Sequence, residues 1–598
     1  MSGRRIEDYA LIGDCETAAL VHRDGGIEWL CWPNFGSPAA FAKLLGDDDN
    51  GVWRLSAAEP ARVSRRYRDD TLILETRYET GEGAATVVDF MPIRRGASHL
   101  MRIVIGERGA VTMASAFRVR FDYGRMRPLV RREEGRTIIF QCGRHGARLH
   151  ADIPLALGEG GACDSEFTIA AGETRALVLT YFPSYEAPPE PIDPRAALAE
   201  TERFWREWSG RCGYRGPWRD AVMRSLITLK ALVYRPSGAI VAAPTSSLPE
   251  QATGEGLWDY RFCWLRDATF TLLSFLHAGY VEEAAAWRDW LLRAVAGEPG
   301  LLQPVFGLDG EPRLHEWSAP WLSGFNGAKP VRFGNAAYRQ RQFDAFGEVI
   351  DALHQAGEHG VPEVEGVWQL RKALADELAR CWREPGNGIW EKRDGARLFT
   401  LSRAMIWAAL DRTIRFAERE GREAPLERWR EARDAVHAET CRRGFRAERG
   451  AFVRDFDSDA LDASLLLLPQ IGFLPPSDPR IVGTVEAIGR ELSADGFIRR
   501  HERAEGGGSA FVACGFWYAD ALAIIGRRAQ AEAMFARLMA IRNDLGLLSE
   551  QYDPDERRLM GNFPQTLSHL ALVNAAFNLW TDDPPAGRRS QLKRRSAS

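Results

Sequence analysis

A proline-rich stretch at residues 182–194 (FPSYEAPPEPIDP) separates two parts of the chain that differ in hydrophobic periodicity. Before it, short runs rich in β-branched residues alternate with glycine-containing turns, a pattern typical of strands. After it, apolar residues recur with the period of helices. At 598 residues the chain is too long for one ordinary compact domain. The sequence therefore predicts a β domain followed by a larger helical domain.

The first part contains a series of short predicted strands joined by turns. They lie at residues 71–78, 85–90, 100–105, 137–140, 167–169 and 176–181. Many short strands at this spacing favour an antiparallel β-sandwich. We expect this N-terminal domain to occupy residues 1–190.

The second part begins with a predicted linker helix at residues 196–208, inside a connecting segment that we place at 191–214. About twelve helical segments follow, and they begin near Trp218, Asp267, Glu282, Ala336, Glu363, Thr400, Pro425, Asp459, Pro479, Ala513, Arg528 and Thr566. Twelve helices fit six hairpins in a closed double ring, so residues 215–584 are expected to form an (α/α)6 catalytic barrel. A superhelix of hairpin repeats is the competing arrangement, although no motif recurs at a fixed period. We expect the basic residues 585–598 to be a solvated, disordered tail.

Charge and cysteine content narrow the class of partner. The formal net charge of −4 gives no reason to expect a nucleic acid or an anionic membrane as partner. There is no run of eighteen apolar residues and no signal-peptide pattern. Nine cysteines without a CxxC pair are typical of reduced thiols. We therefore expect a cytoplasmic protein with a small soluble substrate, and the sequence leaves a homo-oligomer open.

The histidines do not predict a metal site. None of the eleven forms an HExxH or HxH motif or another metal-ligand spacing, so no metal and no other cofactor is expected. His569, beside Ser568 at the start of the last predicted helix, is a candidate hydrogen-bonding residue of a substrate pocket.

The segment at residues 258–267 (WDYRFCWLRD) has the composition of a carbohydrate site. It combines four large aromatic side chains, among them Trp258, Tyr260 and Trp264, with the neighbouring pair Arg266 and Asp267. Sugar rings stack their C–H faces on aromatic planes, and charged side chains bind the hydroxyls. The alternative is a buried Arg–Asp pair that stabilises a helix start within an aromatic core. The nineteen tryptophans of the chain favour the carbohydrate interpretation.

Two glutamates in predicted loops of the helical part are candidates for acid and base catalysis. Glu391 follows Trp390, whose ring could exclude water and raise the pKa of the carboxyl, as a general acid requires. Glu550 lies between Ser549 and Gln551 and near Tyr552, a polar setting in which we expect a carboxylate to stay ionised, as a general base requires. Most of the 82 acidic residues are solvated or paired with arginine, and spacing alone favours that plainer interpretation for these two as well.

Several sequence blocks in a fixed order resemble bacterial proteins of glycoside hydrolase family 15, the glucoamylase-like group that includes some trehalases. The most specific blocks are PTSSLPE at 244–250, WDYRFCWLRD at 258–267, GIWE at 388–391 and SEQY at 549–552. The likeness extends from IEDYALIGD at 6–14 and DGGIEWLC at 24–31 to NFPQTLSHL at 562–570. It covers almost the whole chain.

The resemblance implies a β-sandwich, a linker helix and an (α/α)6 barrel. By position it implies that Glu391 is the general acid, that Glu550 is the general base, and that Arg266 and Asp267 hold the glucose whose bond is cut. The remaining candidate substrate-binding residues are Trp258, Tyr260, Trp264, Trp390, Tyr552 and His569.

The expected activity is inverting, exo-acting hydrolysis of α-glucosides, which releases β-glucose from the non-reducing end of soluble α-glucans or oligosaccharides. Trehalose hydrolysis within the same family is the alternative. Lys392 and the segment at 315–329 depart from the expected family pattern near the pocket mouth, so the substrate stays open. A disaccharide phosphorylase and a non-catalytic sugar-binding protein are the alternatives from other classes. The matching Glu550 motif argues against a phosphorylase, and a binding protein would not need both carboxylates.

Overall fold

The computed structural model describes residues 3–133, 136–502 and 508–581, so the predicted tail at 585–598 lies outside the described residues. The strands of its first part are β1 (Tyr9–Gly13), β2 (Ala18–His22), β3 (Gly26–Cys31), β4 (Ala39–Phe41), β5 (Val52–Ala57), β6 (Arg62–Tyr67), β7 (Leu74–Glu79), β8 (Gly83–Phe90), β9 (His99–Arg118), β10 (Leu129–Arg132), β11 (Thr137–Cys142), β12 (His145–Ala151), β13 (Ala156–Leu157), β14 (Cys163–Ala170) and β15 (Thr174–Pro183). The strands that we predicted from residue 71 onward all overlap observed strands.

The long strand β9 joins two antiparallel layers. Its first half pairs with β8 and β15, and its second half pairs with β5 and β14. On β9, Phe117 packs against Trp53 of β5 and against Phe140 of β11, with ring centroids 5.4 and 5.2 Å apart. Aromatic side chains from both layers therefore meet in one core, as the sandwich prediction requires.

The strands before residue 71 were not predicted from the sequence. Every residue of β1 and of β3 is buried, because barrel loops and other strands cover both faces. A strand buried on both faces shows no polar–apolar alternation, which is the signal that identifies a half-exposed strand.

Twelve α-helices follow within the described residues. They are α1 (Pro194–Gly210), α2 (Arg219–Ala231), α3 (Leu265–Ala278), α4 (Val281–Ala294), α5 (Phe343–Glu358), α6 (Glu365–Cys381), α7 (Thr400–Arg419), α8 (Leu426–Arg443), α9 (Pro479–Glu491), α10 (Val512–Ile524), α11 (Arg528–Met539) and α12 (Thr566–Trp580). Helix α1 is the predicted linker helix, and its start is fixed by Pro194 in the first turn and by Asp193, which caps the backbone N–H of Arg195.

Short strands pair in the loops between these helices. They are Val233–Tyr234, Ala239–Ile240, Cys263–Trp264, Val305–Phe306, Trp317–Ser318, Arg332–Phe333, Phe445–Arg446, Ala451–Phe452, Ser493–Ala494, Phe497–Ile498, Ala510–Phe511, Gln551–Asp553 and Arg558–Met560.

The helices after α1 form a closed double ring, which confirms the predicted (α/α)6 barrel. In the inner ring, α3 contacts α5, α5 contacts α7, α10 contacts α12, and α12 returns to α3. The 3-10 helix Ala463–Leu467 closes the gap between α7 and α10. Helices α2, α4, α6, α8, α9 and α11 pack outside. The predicted boundaries of the three segments, at 190 and 214, stay a proposal.

Two of the predicted helix starts were wrong. The helix predicted near Asp459 is a 3-10 helix of five residues, because Asp462 caps its start and Pro469 cannot donate the backbone hydrogen bond that a longer α-helix needs. The helix predicted near Ala336 is a short 3-10 turn, and α5 begins only at Phe343 after an extended stretch. The second of these segments borders the cavity described below, through Asn335 and Ala337.

The β domain packs directly on the barrel loops. The indole N–H of Trp29 donates to the backbone oxygen of Pro244 over 2.7 Å. Arg261, almost fully buried, donates to the backbone oxygen of Ser37 over 2.9 Å and to the Tyr123 hydroxyl over 2.9 Å. Within the described ranges, no helix has the length and apolar character needed to cross a bilayer.

Candidate active site

A cavity of about 380 Å³ lies among the barrel loops and collects most of the predicted site residues. Six of them line it: Trp258, Tyr260, Trp264, Arg266, Trp390 and Glu391. The other lining residues are Ala242, Glu250, Asn335, Ala337, Lys392, Arg393, Arg500 and His501.

The side chains of the segment at 258–267 have two roles: some line the cavity, and others anchor the β domain. Four of its five even-numbered residues line the cavity. The odd-numbered Asp259 points away and forms a buried ion pair with Arg261, with N and O 2.7 Å apart. The segment is extended up to Trp264, where successive side chains point to opposite sides, so it can line a pocket and anchor the β domain together; Arg266 follows in the first turn of α3. The segment therefore contains one Arg–Asp pair that is structural and one that reaches the cavity.

Glu391 is held on one wall of the cavity by hydrogen bonds to its carboxyl and to its backbone. Arg266 donates to Oε1 over 2.9 Å, and the side-chain amide of Gln342 donates to the same oxygen over 3.3 Å. The amide of Gln340 donates to the backbone oxygen of Glu391 over 2.9 Å. The extended stretch before α5, which the sequence analysis assigned to a helix, supplies both glutamines.

Two further properties set Glu391 apart from an ordinary loop residue. Its φ is +50°, a conformation that non-glycine residues seldom adopt and that is enriched at functional sites. Burial raises the pKa of its carboxyl to about 7, against the opposing influence of Arg266. A carboxyl with this pKa carries a transferable proton near neutral pH.

Arg266 connects Glu391 to Asp267. Its guanidinium donates to Asp267 Oδ2 over 3.0 Å and to the backbone oxygen of Ile389 over 2.6 Å. Asp267 is fully buried, and burial raises the pKa of its carboxyl while Arg266 lowers it. Arg266, but not Asp267, lines the cavity itself.

Trp390 is fixed by a residue that the sequence analysis missed. Its indole N–H donates to Asp462 Oδ1 over 2.9 Å, and its ring stacks near Trp517 with centroids 5.9 Å apart. Asp462 also pairs with His501, 3.2 Å away, and caps the shortened inner helix. Because that helix begins only at Ala463, Asp462 lies directly before it, where its carboxylate orients the Trp390 side chain beside Glu391.

The environment of Glu550 differs from the predicted polar, ionising setting. Glu550 is only 1 % exposed, and burial raises the pKa of its carboxyl well above the ordinary value. The neighbours that were expected to solvate it face elsewhere, because Ser549 donates to the backbone oxygen of Gln551 and Tyr552 packs against Phe497. The polar residues that flank Glu550 in the sequence therefore do not surround its carboxyl in the structure.

Glu550 nevertheless contacts the cavity wall. The hydroxyl of Tyr260, a lining residue, donates to Oε1 over 2.7 Å. Arg266 acts electrostatically on Glu550 as well as on Glu391. Gly561 packs against the carboxyl, and a Cβ there would lie 2.6 Å from Oε2. The two predicted catalytic groups therefore share the neighbourhood of one arginine.

Three predicted substrate-binding residues do not line the cavity: Asp267, already described, and His569 and Tyr552. His569 is fully buried, its Nε2 accepts from the backbone N–H of Leu548 over 3.1 Å, and its Nδ1 lies 2.9 Å from the Ser225 hydroxyl. It supports the loop that carries Glu550 from behind. Tyr552 is on the short strand that follows that loop and is likewise outside the lining.

The rim of the cavity is built around Trp258. The guanidinium carbons of Arg332 and Arg393 lie 4.8 and 4.4 Å from its ring centroid. Glu316 accepts a hydrogen bond from Arg393 over 2.6 Å and lies 3.8 Å from Arg332. The segment at 315–329, which departs from the expected family pattern, thus takes part in the rim.

Glu250 and Arg500 are the most prominent lining residues that the sequence analysis did not assign. Glu250 is 4 % exposed and accepts a hydrogen bond from Arg500. Glu250 ends the PTSSLPE block, so its position in a block that carries the family resemblance was the available signal. Arg500 had no signal in the sequence.

A candidate metal cluster lies in the β domain and has no link to the cavity lining. Among the described residues, His22, Asp24 and Glu28 bring ligand atoms within 4.8 Å of one another. However, Glu28 already accepts from the Tyr9 hydroxyl over 2.6 Å and pairs with the Lys43 ammonium over 2.8 Å. One of the three possible ligands is therefore already paired with a protein cation.

Family models match both parts of the chain. A model described as glycosyl hydrolases family 15 matches residues 216–577, and one described as trehalase-like, N-terminal matches residues 1–142.

Similar proteins cover nearly the full length. A trehalase of Mycobacterium tuberculosis is 35 % identical over 96 % of this chain and 89 % of its own length. A trehalase of Thermoplasma volcanium is 30 % identical over 96 % of this chain and 93 % of its own. A bacterial glucoamylase solved in complex with acarbose superposes with a TM-score of 0.72 at 14 % identity, over 99 % of this chain and 96 % of its own. At that identity the likeness establishes the fold alone.

Proposed function

Since the chain belongs to glycosyl hydrolase family 15 and is thus an O-glycosyl hydrolase, we propose that it hydrolyses α,α-trehalose with inversion at the attacked carbon. From the sequence alone, α-glucans were the first choice of substrate and trehalose the second. The full-length relatives named trehalase, together with the trehalase-like N-terminal model, favour the second choice.

One observation carries the catalytic part of the proposal. Glu391 lines the cavity, Glu550 touches its wall through Tyr260, and Arg266 acts on both carboxyls. A pair of carboxyls around one sugar site is what glycoside hydrolysis needs. The cavity volume of about 380 Å³ is near the lower end of the roughly 300–1,000 Å³ of small-ligand sites, which suits a disaccharide.

The proposed roles follow from these environments. Glu391, with its pKa raised to about 7, donates its proton to the glycosidic oxygen as the bond to the anomeric carbon breaks. Glu550, as the anion, takes a proton from a water that attacks this carbon from the opposite face. Arg266, held in place by Asp267, binds hydroxyls of the attacked glucose, and Trp258 at the rim stacks on the leaving sugar.

Because trehalose joins two α-anomeric carbons, inversion has a specific product signature. The attacked glucose is released as the β-anomer, while the leaving glucose keeps its α-configuration. Proton NMR in the first minutes, before mutarotation, should therefore show equal amounts of α- and β-glucose. Retention would instead give α-glucose alone and would assign Glu550 to another role.

The substrate test compares disaccharides. Purified protein is incubated with trehalose, maltose or isomaltose, with and without phosphate, and both glucose and glucose 1-phosphate are measured. We expect glucose from trehalose without a need for phosphate, and much slower release from the other two. The Glu391→Gln protein, purified in the same way, controls for contaminating glucosidases.

Each alternative has its own outcome. Cleavage of maltose with no cleavage of trehalose would restore the α-glucan interpretation. Phosphate-dependent glucose 1-phosphate would indicate a phosphorylase. Binding of sugars without turnover would indicate a non-catalytic protein.

A further inference from the structure

An ion pair near Glu550, formed by the cavity-lining residues Glu250 and Arg500, is not required by the proposed reaction itself. The Glu250 carboxylate oxygen Oε2 accepts hydrogen bonds from the Arg500 guanidinium and from the side-chain amide of Gln551. Gln551 is the residue directly after Glu550. The Glu250–Arg500 pair is therefore tied to the chain at the position next to the proposed base.

Arg500 is fixed on its other sides by aromatic rings. Its guanidinium carbon lies 5.0 Å from the ring centroid of Phe511 and 5.8 Å from that of Trp390. Phe511 also pairs with Gln551 in the short antiparallel strands at 510–511 and 551–553. This packing leaves the guanidinium few alternative positions, so its charge is held close to the loop that carries Glu550.

Four charged or titratable groups face Glu550, and they come from separate segments of the chain. They are Tyr260, Arg266, Glu250 and Arg500. The Glu250 carboxylate raises the pKa of Glu550, whereas the Arg500 guanidinium lowers it. The two members of one ion pair therefore act on Glu550 with opposite sign.

We propose that Glu250 and Arg500 are an opposed pair of positioning residues, which hold the Glu550 loop at the cavity wall and balance the charge of the Glu550 carboxyl. Arg500 favours the anion that can accept a proton from water, and Glu250 prevents Arg500 from neutralising that anion in a closed ion pair. This inference rests on the proposed function, because it takes Glu550 as the base.

The test is the pH dependence of kcat/KM for Glu250→Gln and Arg500→Gln. Loss of the Arg500 charge should move the limb of the profile that Glu550 controls to higher pH, and loss of the Glu250 charge should move the same limb to lower pH. Each shift should be about one pH unit, the scale that a neighbouring charge produces. The other limb, controlled by Glu391, should stay in place for both variants.

Three controls separate this role from a purely structural one. Arg500→Lys retains the charge and should restore the limb to its wild-type position even if kcat falls. Arg449→Gln removes another arginine, one that pairs with Glu491 and Glu502 away from the cavity lining, and should leave both limbs unchanged. Melting temperatures of all variants show whether the protein is folded under the assay conditions.

The outcomes are distinct. If both Gln variants lose activity without a shift of either limb, or if they move the limb in the same direction, the proposal is wrong. If the wild-type protein cleaves no α-glucoside, the proposed function has failed instead. If it cleaves maltose rather than trehalose, the same profiles are measured with maltose and still test the pair.

Discussion

The two walls of the cavity each hold one proposed catalytic carboxyl, but they hold it in different ways. Glu391 lies on the Arg266 wall, where a guanidinium and an amide donate directly to one carboxyl oxygen. Glu550 lies on the wall that contains Glu250 and Arg500, which we call the Glu250–Arg500 wall. There its direct hydrogen-bond donor is the neutral Tyr260 hydroxyl, and the Glu250 carboxylate is nearby. Burial raises the pKa of both groups. Two buried carboxyls can thus be assigned different tasks only through their partners.

The largest expected effect tests which wall donates the proton. Glu391→Gln keeps the shape of the side chain but removes the proton, so trehalose hydrolysis should fall by about 10²–10⁴-fold. α-Glucosyl fluoride needs little protonation of its leaving group and should be affected much less. Rates of fluoride and glucose release measure the two reactions.

Glu550→Gln provides the matched comparison for that experiment. A water must be activated whichever group leaves, so this variant should lose activity on trehalose and on the fluoride alike. If Glu550→Gln spares the fluoride and Glu391→Gln does not, the acid and base assignments of the two walls are reversed.

The next prediction uses the two Arg–Asp pairs of the 258–267 segment. Asp267→Asn should lower kcat/KM roughly 10- to 150-fold, because Arg266 loses its charged hydrogen-bond partner. This corresponds to about 1.5–3 kcal/mol of transition-state stabilisation. Its melting temperature should change little, because Arg266 borders the cavity, where water can solvate the charge that is left unpaired.

Asp259→Asn is the structural counterpart. Asp259 pairs with buried Arg261, which anchors the β domain, and breaking such a pair costs about 3–5 kcal/mol of stability. This variant should melt earlier, while the folded protein keeps its kcat/KM. If Asp267→Asn lowers stability and the folded fraction stays fully active, then Arg266 and Asp267 are a second structural pair, and their proposed role in holding the attacked glucose is wrong.

Much of the fold could be predicted from the sequence, because the change of periodicity and the helix starts are local signals. Pro479 begins a helix as predicted, since it lies in the first turn and Asp478 directly before it caps the helix start. The helix predicted near Asp459 is a 3-10 helix at 463–467 instead of an α-helix, and its inner-ring position appears only in the assembled barrel.

The site was predictable where a residue lies in one of the sequence blocks that carry the family resemblance, and unpredictable where it lies outside them. Arg266 and Glu391 were identified from sequence blocks, and they meet in the structure. Gln342, Asp462 and Arg500 lie outside those blocks, and nothing in their local sequence marks them as partners of Glu391, Trp390 and the Glu550 loop. For the same reason the deep burial of Glu550 could not be inferred from Ser549 and Gln551, whose side chains bind elsewhere.

The smallest expected effect concerns stability, and it compares the burial of the two carboxyls. The pKa of Glu391 in the folded protein is about 7, above the ordinary value of about 4.3. Its contribution to stability is therefore fully present below about pH 4.3 and is lost as the pH rises through 7, because the buried carboxyl must then ionise. The loss is about 1–3 kcal/mol, the upper figure being reduced because the side chain is 22 % exposed.

Glu391→Gln, which cannot ionise, should thus unfold at the same denaturant concentration as the wild type near pH 4.5 and at a higher one at pH 8. Glu550→Gln should show the same trend with a larger difference, since Glu550 is more deeply buried, whereas exposed Glu448→Gln should show none. A larger gain for Glu391→Gln than for Glu550→Gln would mean that the Arg266 wall, and not the Glu250–Arg500 wall, imposes the greater cost on a charged carboxylate.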